Sequence, residues 1–252
     1  MVDATTTLLI LAVSAFIPPL VFLSIVRGTE RYGREPWGRV LRTFFWGAVF
    51  AVIIASILEL LLYAVYNRYV PVRLFLGQDL GGIVLVLVIA PIVEEFAKGI
   101  GVYLARPAMD EPEDGLVYGA AAGFGFAASE NLLYGLLALT LPGGSIGESI
   151  IVIGIRSLSS ALLHATASGM FGYGIALNRL WPHLHSPLPY YLLAVMMHST
   201  FNFLASLGEI GTPVLGDNAA LFGLAGAILL AVAAFIGLRW LIVKHDEQRV
   251  TW

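Results

Sequence analysis

Seven stretches of this chain stay apolar for about 20 residues or more, the length a helix needs to cross a hydrocarbon core of about 30 Å. They cover roughly residues 6–26, 40–66, 80–105, 115–141, 148–178, 188–207 and 219–243. Runs this long and continuous do not read as barrel strands, which alternate in polarity and span about 10 residues. They predict an all-α fold, a polytopic transmembrane helical bundle of about seven spans. Composition agrees, because only 12% of residues are charged, where soluble domains carry about a quarter. Polar and turn-forming residues fall between the runs, and no internal repeat or low-complexity tract is apparent. The whole chain, 1–252, therefore reads as one integral membrane domain. The first run has no basic region before it and carries Pro18-Pro19 near its end; it reads as an uncleaved span rather than a signal peptide.

The absence of cysteine excludes disulfides, thiolate metal ligands and a cysteine nucleophile. A net charge of -3 says nothing about partners when most charges lie in loops, and no nucleic-acid partner is expected. Where the basic residues fall is more informative. Alternate loops collect Arg27, Arg31, Arg34, Arg39, Arg42, Arg106, Arg179, Arg239, Lys244 and Arg249, against Arg68 and Arg73 on the other side. The positive-inside rule then predicts a multi-pass protein of the cell membrane with its N-terminus outside and its C-terminus in the cytoplasm.

Ionisable groups inside spans cost a few kcal/mol each and mark sites or pathways unless they are paired. The third run carries Glu94, Glu95 and Lys98; the fourth, Glu130 and Asn131; the fifth, Arg156 and His164; the sixth, His198 and Asn202. Glu59 in the second run is a further candidate. At about 1.5 Å per residue, Glu94 and His198 lie roughly 15 Å from the expected cytoplasmic boundary, and Glu130 and His164 roughly 20 Å. Four helices thus bring carboxylates and imidazoles to one level near mid-membrane. The i,i+4 pairs Glu94/Lys98 and His198/Asn202, and the i,i+3 pair Glu95/Lys98, each project from one helix face. Gly119 and Gly123 in the fourth run, and Gly169, Gly172 and Gly174 in the fifth, let those helices approach closely, although such glycines are common in membrane bundles.

Imidazoles and carboxylates together suit Zn²⁺ or a related divalent ion with one position left for water. Such an ion lowers the pKa of its water and polarises a carbonyl while a nearby glutamate takes the proton, so amide hydrolysis inside the membrane is a natural use. Other intramembrane protease chemistries lack their signatures here. No HExxH occurs, the string TASG at 166–169 lacks the first glycine of a GxSG serine site, and every aspartate lies in a loop or terminus.

Four segments carry a resemblance to a known family: EEFAK at 94–98, GFGFAASEN at 123–131, His164-Ala165, and HSTFN at 198–202. They resemble the motifs of PrsW-type intramembrane proteases, a family similar to the CAAX-protease-like superfamily. That superfamily's pattern is an EExxxR-type motif, then FxxxH, then Hxxx(N/D). Here Glu94-Glu95 is followed by Phe126 with Glu130 in place of the histidine, then by His198 with Asn202. Glu130 and the closer spacing of Lys98 resemble the PrsW branch. The resemblance covers about 90–205, with a catalytic-like core about 80–207.

The resemblance implies that Glu94 or Glu95 activates water, that Glu130, His164 and His198 are metal or water ligands, and that Asn202 orients His198 or an oxyanion. It implies a divalent metal such as Zn²⁺ and a membrane-embedded or membrane-tethered protein substrate, of the anti-sigma type in regulated proteolysis. One of Glu94 and Glu95 is expected to face the cavity and the other to pair with Lys98. Lys98 and Arg156 read as charge partners, with Asn131 in support, and His183 and His185 as solvated loop residues. An intramembrane histidine can also be a simple interhelical hydrogen bonder. Two other classes stay open on the residues alone: an ion-coupled transporter, since midplane carboxylates also relay ions, and a non-catalytic membrane scaffold.

Overall fold

A computed structural model describes residues 3–70, 74–75 and 78–248. Arg73 and Arg249, which entered the orientation reading, lie outside the described residues. The long helices are α1 (Ala4–Thr29), α2 (Trp37–Tyr69), α3 (Leu80–Ala108), α4 (Pro112–Thr140), α5 (Ile146–Leu158), α6 (Ser160–Leu180), α7 (Leu188–Ala205) and α8 (Ala219–Gln248). Strand structure among the described residues is confined to a two-residue antiparallel contact, Leu74 opposite Asp79 and Phe75 opposite Gln78.

Five segments are long and apolar enough to cross a membrane: Ala4–Thr29, Trp37–Tyr69, Leu80–Ala108, Ile146–Leu180 and Thr212–Glu247. The other two expected spans are also helical, as α4 and α7, but they carry more small and polar residues. The physical reason is clearest in α4, where every residue from Glu113 to Ala128 is buried by other helices, so its side chains need not match lipid.

Small residues let α4 sit at the centre. A Cβ on Gly119 would run into the backbone carbonyl of Ser168, and one on Gly123 into that of His164, so only glycine permits this approach of α6. The far side of α4 is apolar, with Phe124 near Phe22 of α1 (6.2 Å between centroids) and Phe235 of α8 (6.2 Å). An acidic capping box starts α4: Asp114 Oδ2 accepts from the backbone N–H of Asp110 (2.8 Å) and of Glu111 (2.9 Å).

Three departures from regular helix surround the polar level. A π-turn spans Trp46–Ala51 in α2 and another spans Leu85–Ile89 in α3. Each lies beside a carbonyl that a side chain takes up: Ser129 Oγ donates to Ala48 O (2.6 Å) and Asn202 Nδ2 to Val86 O (2.9 Å). The expected fifth span, 148–178, is broken at Ser159, which has φ -124° and ψ -80°. Its Oγ donates to Ile155 O (2.8 Å), the kind of local side-chain bond that competes with the helical pattern.

Candidate active site

The break at Ser159 and the glycine approach of α6 bring three helices to one level beside α3. Glu94, Glu95 and Lys98 come from α3, Glu130 and Asn131 from α4, His164 from α6 and His198 from α7. Glu95 and Lys98 are completely buried, and Glu94, His164 and His198 nearly so.

The two glutamates of α3 have different surroundings. Lys98 Nζ lies 2.6 Å from Glu95 Oε1 and 3.6 Å from Glu94 Oε2. Ser168 Oγ donates to Glu95 Oε2 (2.8 Å), and Nδ1 of His198 is 3.0 Å from Glu95 Oε1. Both oxygens of Glu95 are thereby occupied. Oxygen Oε2 of Glu94 is buried and has no hydrogen-bond partner. Adjacent helical positions point about 100° apart, which is why one turns to the lysine and the other to the cavity.

Each histidine has a carboxylate on one nitrogen and Glu94 nearer the other. His198 presents Nδ1 to Glu95 and Nε2 to Glu94 Oε2 at 3.8 Å. His164 presents Nε2 to Glu130 Oε2 at 2.9 Å, and Nδ1 to Lys98 Nζ at 2.9 Å and Glu94 Oε2 at 3.9 Å. An ammonium only donates, so Nδ1 of His164 accepts and its Nε2 carries the hydrogen shared with Glu130. The rings meet edge to face, 4.6 Å between centroids. Glu94, His164 and His198 each offer one ligand atom, all within 4.8 Å of one another. One carboxylate oxygen without a hydrogen bond and two imidazoles backed by carboxylates suit the donor set and outer support of a zinc-type site, in which His198 offers a free Nε2 and His164 would offer Nδ1 once Lys98 is drawn off it.

Glu130 is secured from the other side. Arg156 Nη2 lies 3.0 Å from Glu130 Oε2, Arg156 Nε donates to Asn131 Oδ1 (3.0 Å), and the guanidinium stacks 3.7 Å from the Tyr134 ring centroid. Asn131 Nδ2 donates in turn to Ser157 Oγ (3.3 Å). A cavity of about 460 Å³ opens onto Glu94, Glu130, His164, His198 and Asn202, with Glu59 and Arg156 also in its wall. All the residues singled out in the sequence therefore border or adjoin one cavity. Within it, Asn202 bonds Val86 O rather than His198, and Glu130 lies outside the three-residue ligand group.

Sequence reading missed Ser168, Tyr134 and Ser160, the last of which lines the cavity and accepts from the Arg156 guanidinium (3.3 Å). The signal was available: Ser168 is i+4 and Ser160 i-4 from His164, and Tyr134 is i+4 from Glu130, so each shares a helix face with a recognised residue. Ser168 lies in the TASG string, where its hydroxyl donates to Glu95.

Fold and cavity together define a helical membrane protein that keeps a carboxylate–imidazole site inside its bundle. The model of the PrsW family, described as an intramembrane metalloprotease family, matches residues 35–238. The chain belongs to this family and is an intramembrane protease. It is 27% identical to the Protease PrsW of Clostridioides difficile (strain 630), over 75% of this chain and 76% of that one. Identity to the Protease PrsW of Geobacillus kaustophilus (strain HTA426) is 28%, over 74% and 76% of the two chains. Against that of Bacillus subtilis (strain 168) it is 30%, over 64% and 66%. No solved structure matches this chain.

Proposed function

We propose that this protein hydrolyses a peptide bond of a membrane-tethered protein in the cavity bounded by Glu94, Glu130, His164 and His198. The observation that carries the site assignment is the buried, unpartnered Oε2 of Glu94 facing two imidazoles. Glu94, His164 and His198 would hold the divalent metal, Zn²⁺ by donor set. Bound there, such an ion supplies an activated water and a polarised carbonyl.

The remaining residues have distinct tasks in this reading. Glu95, itself held by Lys98 and Ser168, keeps the Nδ1 hydrogen of His198 and leaves Nε2 free to coordinate. Glu130 keeps the Nε2 hydrogen of His164 and, since it lines the cavity, is the carboxylate we assign to take the water proton. This exchanges the roles that the family resemblance suggested for Glu130 and Glu94. Arg156 anchors Glu130. Asn202 holds the π-turn of α3 against α7 at the cavity wall.

Seven spans with the N-terminus outside, kinship with the CAAX-protease-like superfamily, and an anti-sigma-type substrate complete the proposal; they rest on the hydropathy, charge and motif patterns. Neither the transporter nor the scaffold reading is favoured by family membership. The test is metal analysis of the purified protein alongside cleavage of a fluorogenic transmembrane peptide in liposomes. Glu94→Gln and His198→Ala are expected to lose both metal and cleavage, and Glu130→Gln to lose cleavage while keeping metal. Full cleavage in all three variants would overturn the proposal.

A further inference from the structure

Basic residues crowd one end of the bundle, and most of them are taken. Arg27 Nε donates to Glu35 O with its guanidinium 4.6 Å from the Trp37 ring centroid, and Arg34 Nε donates to Glu30 O. Arg31 pairs with Glu247 at 3.6 Å, Arg239 Nε donates to Thr29 Oγ1 (3.1 Å), and Arg106 Nη2 to Asn178 Oδ1 (3.3 Å). Arg42 differs. It is exposed, and among the described residues its guanidinium has no hydrogen bond, ion pair or ring contact.

Arg39, Arg42, Thr43 and Trp46 follow one another at i, i+3, i+4 and i+7, so they share one face of α2. That face and the last turns of α3, with Gly101, Leu104 and Pro107, enclose a pocket of about 180 Å³. Its wall is built onto α3: a Cβ on Gly101 would run into the Trp46 ring, and Trp46 Nε1 donates to Ala97 O (3.1 Å). A second stripe of α2, Trp37, Leu41 and Phe45 at i, i+4 and i+8, is exposed and apolar, as is Leu104 at the pocket edge.

The acids at this end do not occupy the pocket. Glu30, Glu35, Glu113, Asp114 and Asp246 are all at most 4% exposed, and none of them lines it. Arg39 acts on Glu35, whose Oε2 also accepts from Tyr118 OH. Burial pushes the Glu30 carboxyl up to about 8, so at neutral pH it holds a proton rather than a charge that would cancel its basic neighbours.

Arg39 and Arg42 lie within about 8 Å of the start of α2, at the level where a bilayer carries its headgroups. Guanidinium groups match phosphate oxygens in geometry and charge, and basic pockets between helices at such a boundary suit anionic lipid headgroups. We propose that this pocket binds the headgroup of an anionic phospholipid, its phosphate held by Arg42 and Arg39 and its acyl chains lying along Phe45 and Leu104. The exposed apolar stripe is what selects a lipid over a free phosphate, because only a lipid covers both the arginines and that stripe.

The test is native mass spectrometry of the full-length protein in detergent, stripped of bound lipid and titrated with phosphatidylglycerol or with phosphatidylcholine of the same acyl chains. Phosphatidylglycerol is expected to fill one site at several-fold lower concentration, since the choline cation opposes the arginines. Arg42→Gln should bring the two lipids level, and because Arg42 is exposed the variant is expected to fold. Ala108→Trp keeps both arginines but fills the pocket, and should lose the preference too. Arg179→Gln removes an exposed basic residue outside the pocket and should keep it. Excess inorganic phosphate should not displace phosphatidylglycerol. Equal binding of the two lipids, an undiminished preference in Arg42→Gln or Ala108→Trp, its loss in Arg179→Gln, or displacement by inorganic phosphate would overturn the proposal.

Discussion

The mid-bundle site and the acidic group at the basic end solve one problem differently. Around the cavity, Glu95 has Lys98 at 2.6 Å and Glu130 has Arg156 at 3.0 Å. At the start of α4, five acids lie buried together, and Arg39 acts on Glu35 among them. The difference follows from the solvent. Deep in the bundle solvent can do little for a stray charge, so cationic partners are built in beside Glu95 and Glu130, and Glu94, whose Oε2 lacks a hydrogen bond, stands out as available for chemistry. Near the water boundary, protons and cations can reach the acids, and matching within the protein is less necessary.

Breaking the site should show the contrast most strongly. Glu94→Gln or His198→Ala is expected to lower cleavage by about 10³-fold or more, the scale of losing a catalytic metal's contribution of several kcal/mol. Next comes Lys98→Met, which leaves Glu95 buried and unmatched. It should cost about 3–5 kcal/mol of stability, read from unfolding, with partial recovery in Lys98→Met/Glu95→Gln. Removing one carboxylate from the acidic end, as in Glu113→Gln, should cost no such penalty, because nothing there is left unpaired by the change.

Smaller changes sharpen the comparison. Ser168→Ala deletes one hydrogen bond to Glu95 and, through it, loosens the orientation of His198. It should reduce metal affinity about 10–100-fold with little change in folding, measured by metal titration against a chelator. Asn202→Ala should have the smallest effect, of about 1 kcal/mol on stability with only modest loss of cleavage, because the carbonyl of Val86 that it releases is partly exposed. A loss from Asn202→Ala as large as that from His198→Ala would assign Asn202 to the chemistry instead.

Much of this could be read from the chain itself. Apolar runs located the helices to within a few residues, because lipid demands about 20 apolar residues in a row whatever the tertiary arrangement. Carboxylates and histidines in those runs pointed to the candidate site, because their burial is too costly to be incidental. Other features were hidden. Nothing in SLSS at 157–160 signals a helix break, which depends on Ser159 bonding back to Ile155. The polarity of α4 made it a weak span by composition, since its surroundings are other helices.

The sequence by itself determined that this is a helical membrane protein with acids and imidazoles at one depth, because periodicity and rise along a helix are local properties. Only the tertiary structure decided which glutamate meets Lys98 and which nitrogen of each histidine faces Glu94. Those choices depend on how far α6 can approach α4 across Gly119 and Gly123, a distance that no single helix contains.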